Sequence, residues 1–193
     1  MPPVARAGAH YDRSVTFSTT LADDIILRLA THADAAAIAD AYSRNRQHLA
    51  EWEPQRSEEF YTVAHQSAVL TTQLEQHRAG GCLPLVLLRG DAVVGRVNVS
   101  NIVRGPFLSG SVGYWVDGSH TGRGLASAAL AAVVSHCRDE LGLHRLEASV
   151  LAHNAASRRV LARAGFDSIG LAPSYLQIAG RWQDHLLTQR ILF

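Results

Sequence analysis

The sequence predicts one mixed α/β domain. The first reason is the order of its patterned segments, in which strand-like and helix-like runs follow one another as β α α β β β α β α β β. The second is that the strands over 83–100 read as an antiparallel hairpin rather than as parallel βαβ units. The third is size: 193 residues, 47% of them apolar, supply one good core, with no internal repeat or low-complexity segment.

Residues 1–22, rich in Ala, Ser, Thr and Pro and without periodicity, read as a loose tail, and 23–193 as the domain. IILRLA (25–30) is short and β-branched, hence a strand. Thr31 and Asp34 then offer caps for a helix over 35–52, with Pro54 beyond its end. Residues 57–79 begin with Ser57 and two acids and stop at Gly80-Gly81, which suits a second helix and its dipole. Two apolar runs flank Gly90-Asp91 as a hairpin, and 109–116 is a further strand. Over 123–141, Leu125, Ala129, Val133, Cys137 and Leu141 recur at helical spacing, and Gly142 is the stop. Residues 143–151 are a strand. The run from Asn154 to Gly165 is a helix with an N-cap and a C-terminal glycine. Strand-like runs over 168–178 and 185–192 close the chain.

Composition narrows the function classes. A net charge of +1 provides no electrostatic footprint for nucleic acid. The longest apolar stretch, 125–134, is broken by Ser127 and falls short of the roughly 20 residues that span a bilayer. The N-terminus lacks a continuous apolar signal segment. Cys82 and Cys137 lie far apart without CxxC partners, so no zinc framework or disulfide scaffold is expected. Cytoplasm is the expected location, no metal is expected, and a homodimer is left open.

Gly122 and Gly124 flank Arg123 between a strand and a helix. Glycines there can take positive φ and turn backbone N–H groups toward an anion at the helix N-terminus. A P-loop would need GxxxxGK followed by Ser or Thr, which is absent. The dinucleotide fingerprint GxGxxG fits partly, with Ser127 in place of its third glycine and Glu147 about 20 residues on as a ribose ligand. Against it, five residues separate the strand from Gly122, and the preceding strands are antiparallel.

The third option is an acetyl-CoA pyrophosphate loop. Thr121-Gly122-Arg123-Gly124-Leu125-Ala126 resembles the Q/R-x-x-G-x-G/A loop of GNAT-family N-acetyltransferases, with Thr121 in place of Gln or Arg. The stretch from Asn154 through Ser157 and Leu161 to Gly165-Phe166 resembles that family's N-x-x-S-x-x-x-L-x-x-x-G-F block. The resemblance covers nearly all of 24–193. NRQHLAEW (45–52), GYWV (113–116), LHRLEASV (143–150) and GRWQDH (180–185) resemble the RimJ/RimL group, which acetylates N-terminal amines of ribosomal proteins. The resemblance implies a mixed central sheet of about six to seven strands with a splayed strand pair and about four helices. It also implies acetyl-CoA as cosubstrate and a protein N-terminus as acceptor. Two alternatives remain: a GNAT enzyme acting on a small-molecule amine (antibiotic, polyamine or amino-acid-like), and a non-catalytic acetyl-CoA sensor.

Acyl transfer needs the cofactor held, the amine neutral, the oxyanion stabilised and the thiolate protonated. The amides of 122–127 are expected on the pyrophosphate, with Leu125, Ala126 and Ser127 opening the helix. The backbone of Tyr114, Trp115 and Val116 would pair with the pantetheine arm as an added strand. The resemblance places Ser157 as the acid toward the thiolate, although at the third position of a helix capped by Asn154 it could instead serve local amides. Asn154 combines a cap with cofactor contact. The tyrosine acid of other GNAT branches falls at Leu161, and carboxylate bases of related enzymes fall at Ser111 and Ser174. Water chains to Glu147, His153, Asp184 or His185 stand in for a base, with Glu147 the catalytic candidate and an ion pair to Arg145 or Arg159 its plainer role. Trp52, Tyr175, Trp182 and Asp184 are candidates to line the acceptor site, and Arg123, Arg158 or Arg159 to meet the 3′-phosphate.

Overall fold

The strands form a single sheet whose central strand, Leu83–Arg89, is buried on both faces. A computed structural model describes residues 17–22 and 24–193. Eight strands are present: β1 (Ser18–Thr20), β2 (Ile25–Leu29), β3 (Leu83–Arg89), β4 (Ala92–Val103), β5 (Ser109–Val116), β6 (Arg145–Leu151), β7 (Asp167–Ile178) and β8 (Arg181–Ile191). They form one sheet in the order β1-β2-β3-β4-β5-β6-β8-β7. Five helices accompany them: α1 (Ala35–Arg44), α2 (Arg46–Leu49), α3 (Val63–Arg78), α4 (Leu125–Asp139) and α5 (Ala155–Arg163).

The sheet has a core on each face. On one, Leu83, Leu85 and Leu87 of β3 and Leu146 of β6 pack with Leu130, Val133 and Leu161 of the α4–α5 layer. On the other, Val86, Leu88 and Trp115 pack with Ile38, Tyr42 and Leu70 of the α1–α3 layer. Central β3 therefore reads as an unbroken apolar run, because both of its faces are covered. All strand pairs are antiparallel except β5–β6. That parallel pair holds only at Ser109–Arg145, Gly110–Leu146 and Ser111–Glu147. Beyond these positions each strand continues without the other, so the expected splayed pair is present.

Four expectations are corrected. The tail over 1–22 lies largely outside the described residues. Within it, Ser18–Thr20 forms β1 on the edge of β2, and Phe17 and Leu21 pack against the core. This raises the strand count to eight. The single helix over 35–52 is two, broken at Asn45, whose buried side chain leaves the helical pattern to bond Asp117. The helix over 57–79 starts late. A 3₁₀ turn (Glu58–Tyr61) precedes Thr62, which has extended φ/ψ and whose Oγ1 accepts from His65 N at 3.2 Å. The helix over 123–141 is α4, running from Leu125 to Asp139, and Gly142 has φ +59°.

Among the described residues, no helix is long and apolar enough to cross a membrane. No group of three or more His, Cys, Asp or Glu side chains among them is placed to hold a metal ion.

Candidate active site

A cleft of about 690 Å³ occupies the gap where β5 and β6 part. Its walls are Val112–Val116 of β5 and Ala148–Leu151 of β6. One end is the loop through Thr121, Gly122 and Gly124 with the first turn of α4, and another the first turns of α5. Gly122 and Gly124 have φ of +77° and +75°, the left-handed region that glycine enters freely. Gly124 is the N-cap of α4, and its carbonyl accepts from Ala128 N at 3.0 Å. Among the described residues, no acceptor takes the N–H groups of Leu125, Ala126 and Ser127. These three donors, with the positive end of the helix dipole, form an anion site at the mouth of the cleft.

The loop is held from behind by Asp117, which is 4% exposed. Its carboxylate accepts from Arg44 Nε at 2.8 Å, Asn45 Nδ2 at 2.8 Å, Ser119 N at 2.9 Å and Ser119 Oγ at 2.6 Å. Burial alone would raise its pKa. The bonds from Ser119, Asn45 and Arg44 outweigh burial and hold the carboxyl well below the usual carboxylate range. Asn45 Oδ1 accepts in turn from Gly118 N at 2.9 Å, so the break between α1 and α2 is clamped to the loop.

Asn154 is the N-cap of α5, and its Oδ1 accepts from the backbone N of Ser157 at 3.0 Å. Capping therefore uses the backbone of Ser157 and leaves its hydroxyl free. That hydroxyl lies 2.9 Å from the Tyr114 hydroxyl of β5, and Tyr114 Oη also donates to the Ser157 carbonyl at 3.3 Å. Burial pushes the Tyr114 phenol up, with the Ser157 hydrogen bond acting against it, so the phenol keeps its proton at neutral pH. Sequence reasoning gave Tyr114 a backbone role only. Alternation along β5 sets Tyr114 on the face of Val112 and opposite Trp115, but its meeting with α5 is tertiary. Trp115 Nε1 donates to Tyr42 Oη at 3.1 Å and ties β5 to α1.

Of the expected cofactor residues, all but Arg123 line this cleft. Arg123 faces a smaller neighbouring depression with Ala22 and Ile25. Arg158 bonds the Ala152 carbonyl at 3.1 Å, whereas Arg159 and the unforeseen Arg163, one turn on along α5, line the cleft. Leu161 is a buried wall residue.

The acceptor candidates are only partly gathered. Trp52 lines the cleft, its ring 5.7 Å from that of His153. Behind it, Ala179 N donates to the Glu53 carbonyl at 3.0 Å, so the segment after α2 reaches the β7–β8 turn. Tyr175, 44% exposed, lies 5.6 Å from the His185 ring. Trp182, 64% exposed, and Asp184 line a separate open depression with His153. Asp184 Oδ1 accepts from Ser174 N at 2.8 Å, which supports that residue at φ +47°. Glu147 does not line the cleft. It sits where β5 and β6 still pair, 3.7 Å from Arg145, the plainer role considered for it.

A family model described as Acetyltransferase (GNAT) domain matches residues 24–167. The chain is 36% identical over 168 residues to the ribosomal protein uS5-alanine N-acetyltransferase of Escherichia coli, covering 86% of this chain and 87% of that one. The crystal structure of ribosomal-protein-S5-alanine acetyltransferase from Vibrio fischeri superposes with a TM-score of 0.86 at 36% identity, covering 92% of this chain and 96% of that one. RimJ of Mycobacterium smegmatis, in complex with CoA-disulfide, superposes with a TM-score of 0.85 at 34% identity, covering 91% and 86%.

Proposed function

The chain belongs to the GNAT acetyltransferase family, and on that premise we propose that it moves the acetyl group of acetyl-CoA to the N-terminal α-amine of a protein, of the ribosomal-protein-alanine type. The observation that supports this most is the course of the cleft. It begins at the free amides of α4, follows the open edge of β5, and reaches Trp52 and His185 on the far side of the sheet. A pyrophosphate at one end and an extended amide-rich arm along β5 would deliver a thioester into the gap. The likeness to the E. coli uS5-alanine enzyme supports an alanine N-terminus as acceptor.

The amides of Leu125, Ala126 and Ser127 hold the pyrophosphate, with Thr121, Gly122 and Gly124 shaping the turn. Arg159 and Arg163 supply positive charge for the 3′-phosphate. Ser157 is the acid toward the leaving thiolate. When the single Tyr114 hydrogen turns from the Ser157 carbonyl to Ser157 Oγ, the hydrogen of Ser157 is free to point at sulfur, and the phenol, a stronger acid than an aliphatic alcohol, restores it.

The test is thiol release from acetyl-CoA with peptides bearing N-terminal alanine, set against lysine side chains and small amines. Release with the alanine peptides is expected. Release with small amines alone would overturn the acceptor, and acetyl-CoA binding without release to any amine would establish a sensor. Within this scheme, Ser157→Ala lowers kcat about 100-fold with little change in the acetyl-CoA Kd. Because the cap bond uses backbone N, its Tm stays within a few degrees of the native chain. Tyr114→Phe lowers kcat less, and the double variant is no slower than Ser157→Ala, since one group acts through the other. Additive losses in single-turnover kinetics would separate the two hydroxyls.

A further inference from the structure

We propose that His185 is the base that takes the proton of the attacking amine; this rests on the acetyl-transfer reading above. Among the described residues lining the cleft there is no Asp or Glu, so the side chains there suited to accept a proton directly are imidazoles. Three histidines qualify: His48, His120 and His185. His48 is exposed and packs over Gly118, behind the phosphate loop. His120 is in the loop itself, with Nδ1 2.9 Å from Ser119 Oγ. Both lie at the anion end, away from the thioester.

His185 is 3% exposed and sits on β8, paired with Leu151 at the end of β6 where the gap is open. Its neighbour Leu186 packs into the core beneath α4 and α5. Strand alternation therefore sets His185 on the opposite face of the sheet from Tyr114 and Ser157. An acid on one side of the gap and a base on the other are what a thioester threaded through the sheet requires.

The tautomer is settled by chemistry. His185 Nδ1 lies 3.0 Å from the Gln183 carbonyl oxygen, which can only accept, so Nδ1 carries a hydrogen and Nε2 is the nitrogen whose lone pair the neutral ring offers. No other hydrogen bond engages the ring among the described residues. The titratable groups nearby are accounted for. Tyr175 of β7 lies beside the ring. Asp184 is bonded to Ser174 N, His153 is against Trp52, and Glu147 lies four residues back along β6 beside Arg145.

In the step assigned, the amine nitrogen forms a bond to the acetyl carbon and the carbon–sulfur bond breaks. The amine's proton passes to His185 Nε2 and from there to solvent. Sulfur keeps the electron pair of the broken bond and takes the Ser157 proton. The value of such a base depends on pH. An α-amine with pKa about 7.7–8.0 is only about 3–6% neutral at pH 6.5 but over about 90% neutral at pH 9.

The experiment compares kcat of the native chain, His185→Asn and His185→Gln with an N-terminal alanine peptide across pH 6.5–9. Asn retains a donor for the Gln183 carbonyl and lacks the basic lone pair, so it separates chemistry from folding. Both variants are expected to fall about 20-fold at pH 6.5, recover to within about threefold at pH 9, and keep the native KM for acetyl-CoA. A loss of the same size at both ends of the range, or no loss at pH 6.5, overturns His185 as the base and leaves the acetyl-transfer reading standing. Failure of the native chain to acetylate any amine overturns both.

Discussion

Gly124→Val removes measurable acetyl-CoA binding, a loss of at least about 100-fold in Kd, while the chain stays folded. Two effects act together. The residue has φ +75°, where a β-branched side chain is strained by about 1–3 kcal/mol. A Cβ built at Gly124 meets no heavy atom within 4 Å, so the side chain has no protein neighbour to repel and projects into open space. Gly124 lines the cleft mouth, beside the free amides of Leu125, Ala126 and Ser127. The valine would occupy the volume a diphosphate needs and turn those amides away from it. Core packing is untouched, because Gly124 contributes nothing to either core. Titration calorimetry with acetyl-CoA, alongside far-UV circular dichroism, reads both halves. Gly124→Ala, less bulky at the same φ, should fall between the native chain and the valine variant.

Asp117→Ala produces the largest loss of stability, about 3 kcal/mol, or roughly 6–12 °C in Tm for a chain of this size. The substitution strands Asn45, which is 3% exposed, and deprives Arg44 of a partner. It also frees Ser119 and with it the approach to the phosphate loop, so acetyl-CoA affinity falls as well. The same carboxylate makes the native chain acid-sensitive. Its folded pKa is depressed, so the unfolded chain binds the proton more readily. Its stabilisation is present above the ordinary carboxylate value of about 3.9 and drains as pH falls below it. Asp117→Asn should flatten the acid limb of a Tm–pH curve between about pH 4 and 2 relative to the native chain. A limb of unchanged slope would assign the acid sensitivity to other carboxylates, such as Asp34 with Arg28.

What the sequence disclosed and what it hid follow from the range of the interactions. The cap at Asn154, the left-handed glycines of the loop and the Gly90-Asp91 hairpin are local, and each was legible in a few residues. Thr62 was equally local, but Ser57 with its following acids offered a competing start in the same run. The break at Asn45 was not legible, because apolar spacing continues through it and its cause, Asp117, lies 72 residues away. β1 has no alternation of its own and exists through pairing with β2. At the site, the loop followed from glycine conformational freedom. The Tyr114–Ser157 pair, the placement of Arg163 and the exclusion of Glu147 from the cleft required two or more elements to be brought together. The splayed strands came from family likeness, not from any pattern within β5 or β6.

The central claim is that free amides at the start of α4 and an open gap between β5 and β6 receive acetyl-CoA. A crystal structure with coenzyme A bound tests this most directly. The expected result has pyrophosphate oxygens within hydrogen-bond distance of the N–H groups of Leu125, Ala126 and Ser127, the arm paired with the backbone of 113–116, and the sulfur near Ser157 Oγ. Coenzyme A bound elsewhere, or β5 and β6 paired beyond Ser111 and Glu147 so that the gap is closed, would contradict it.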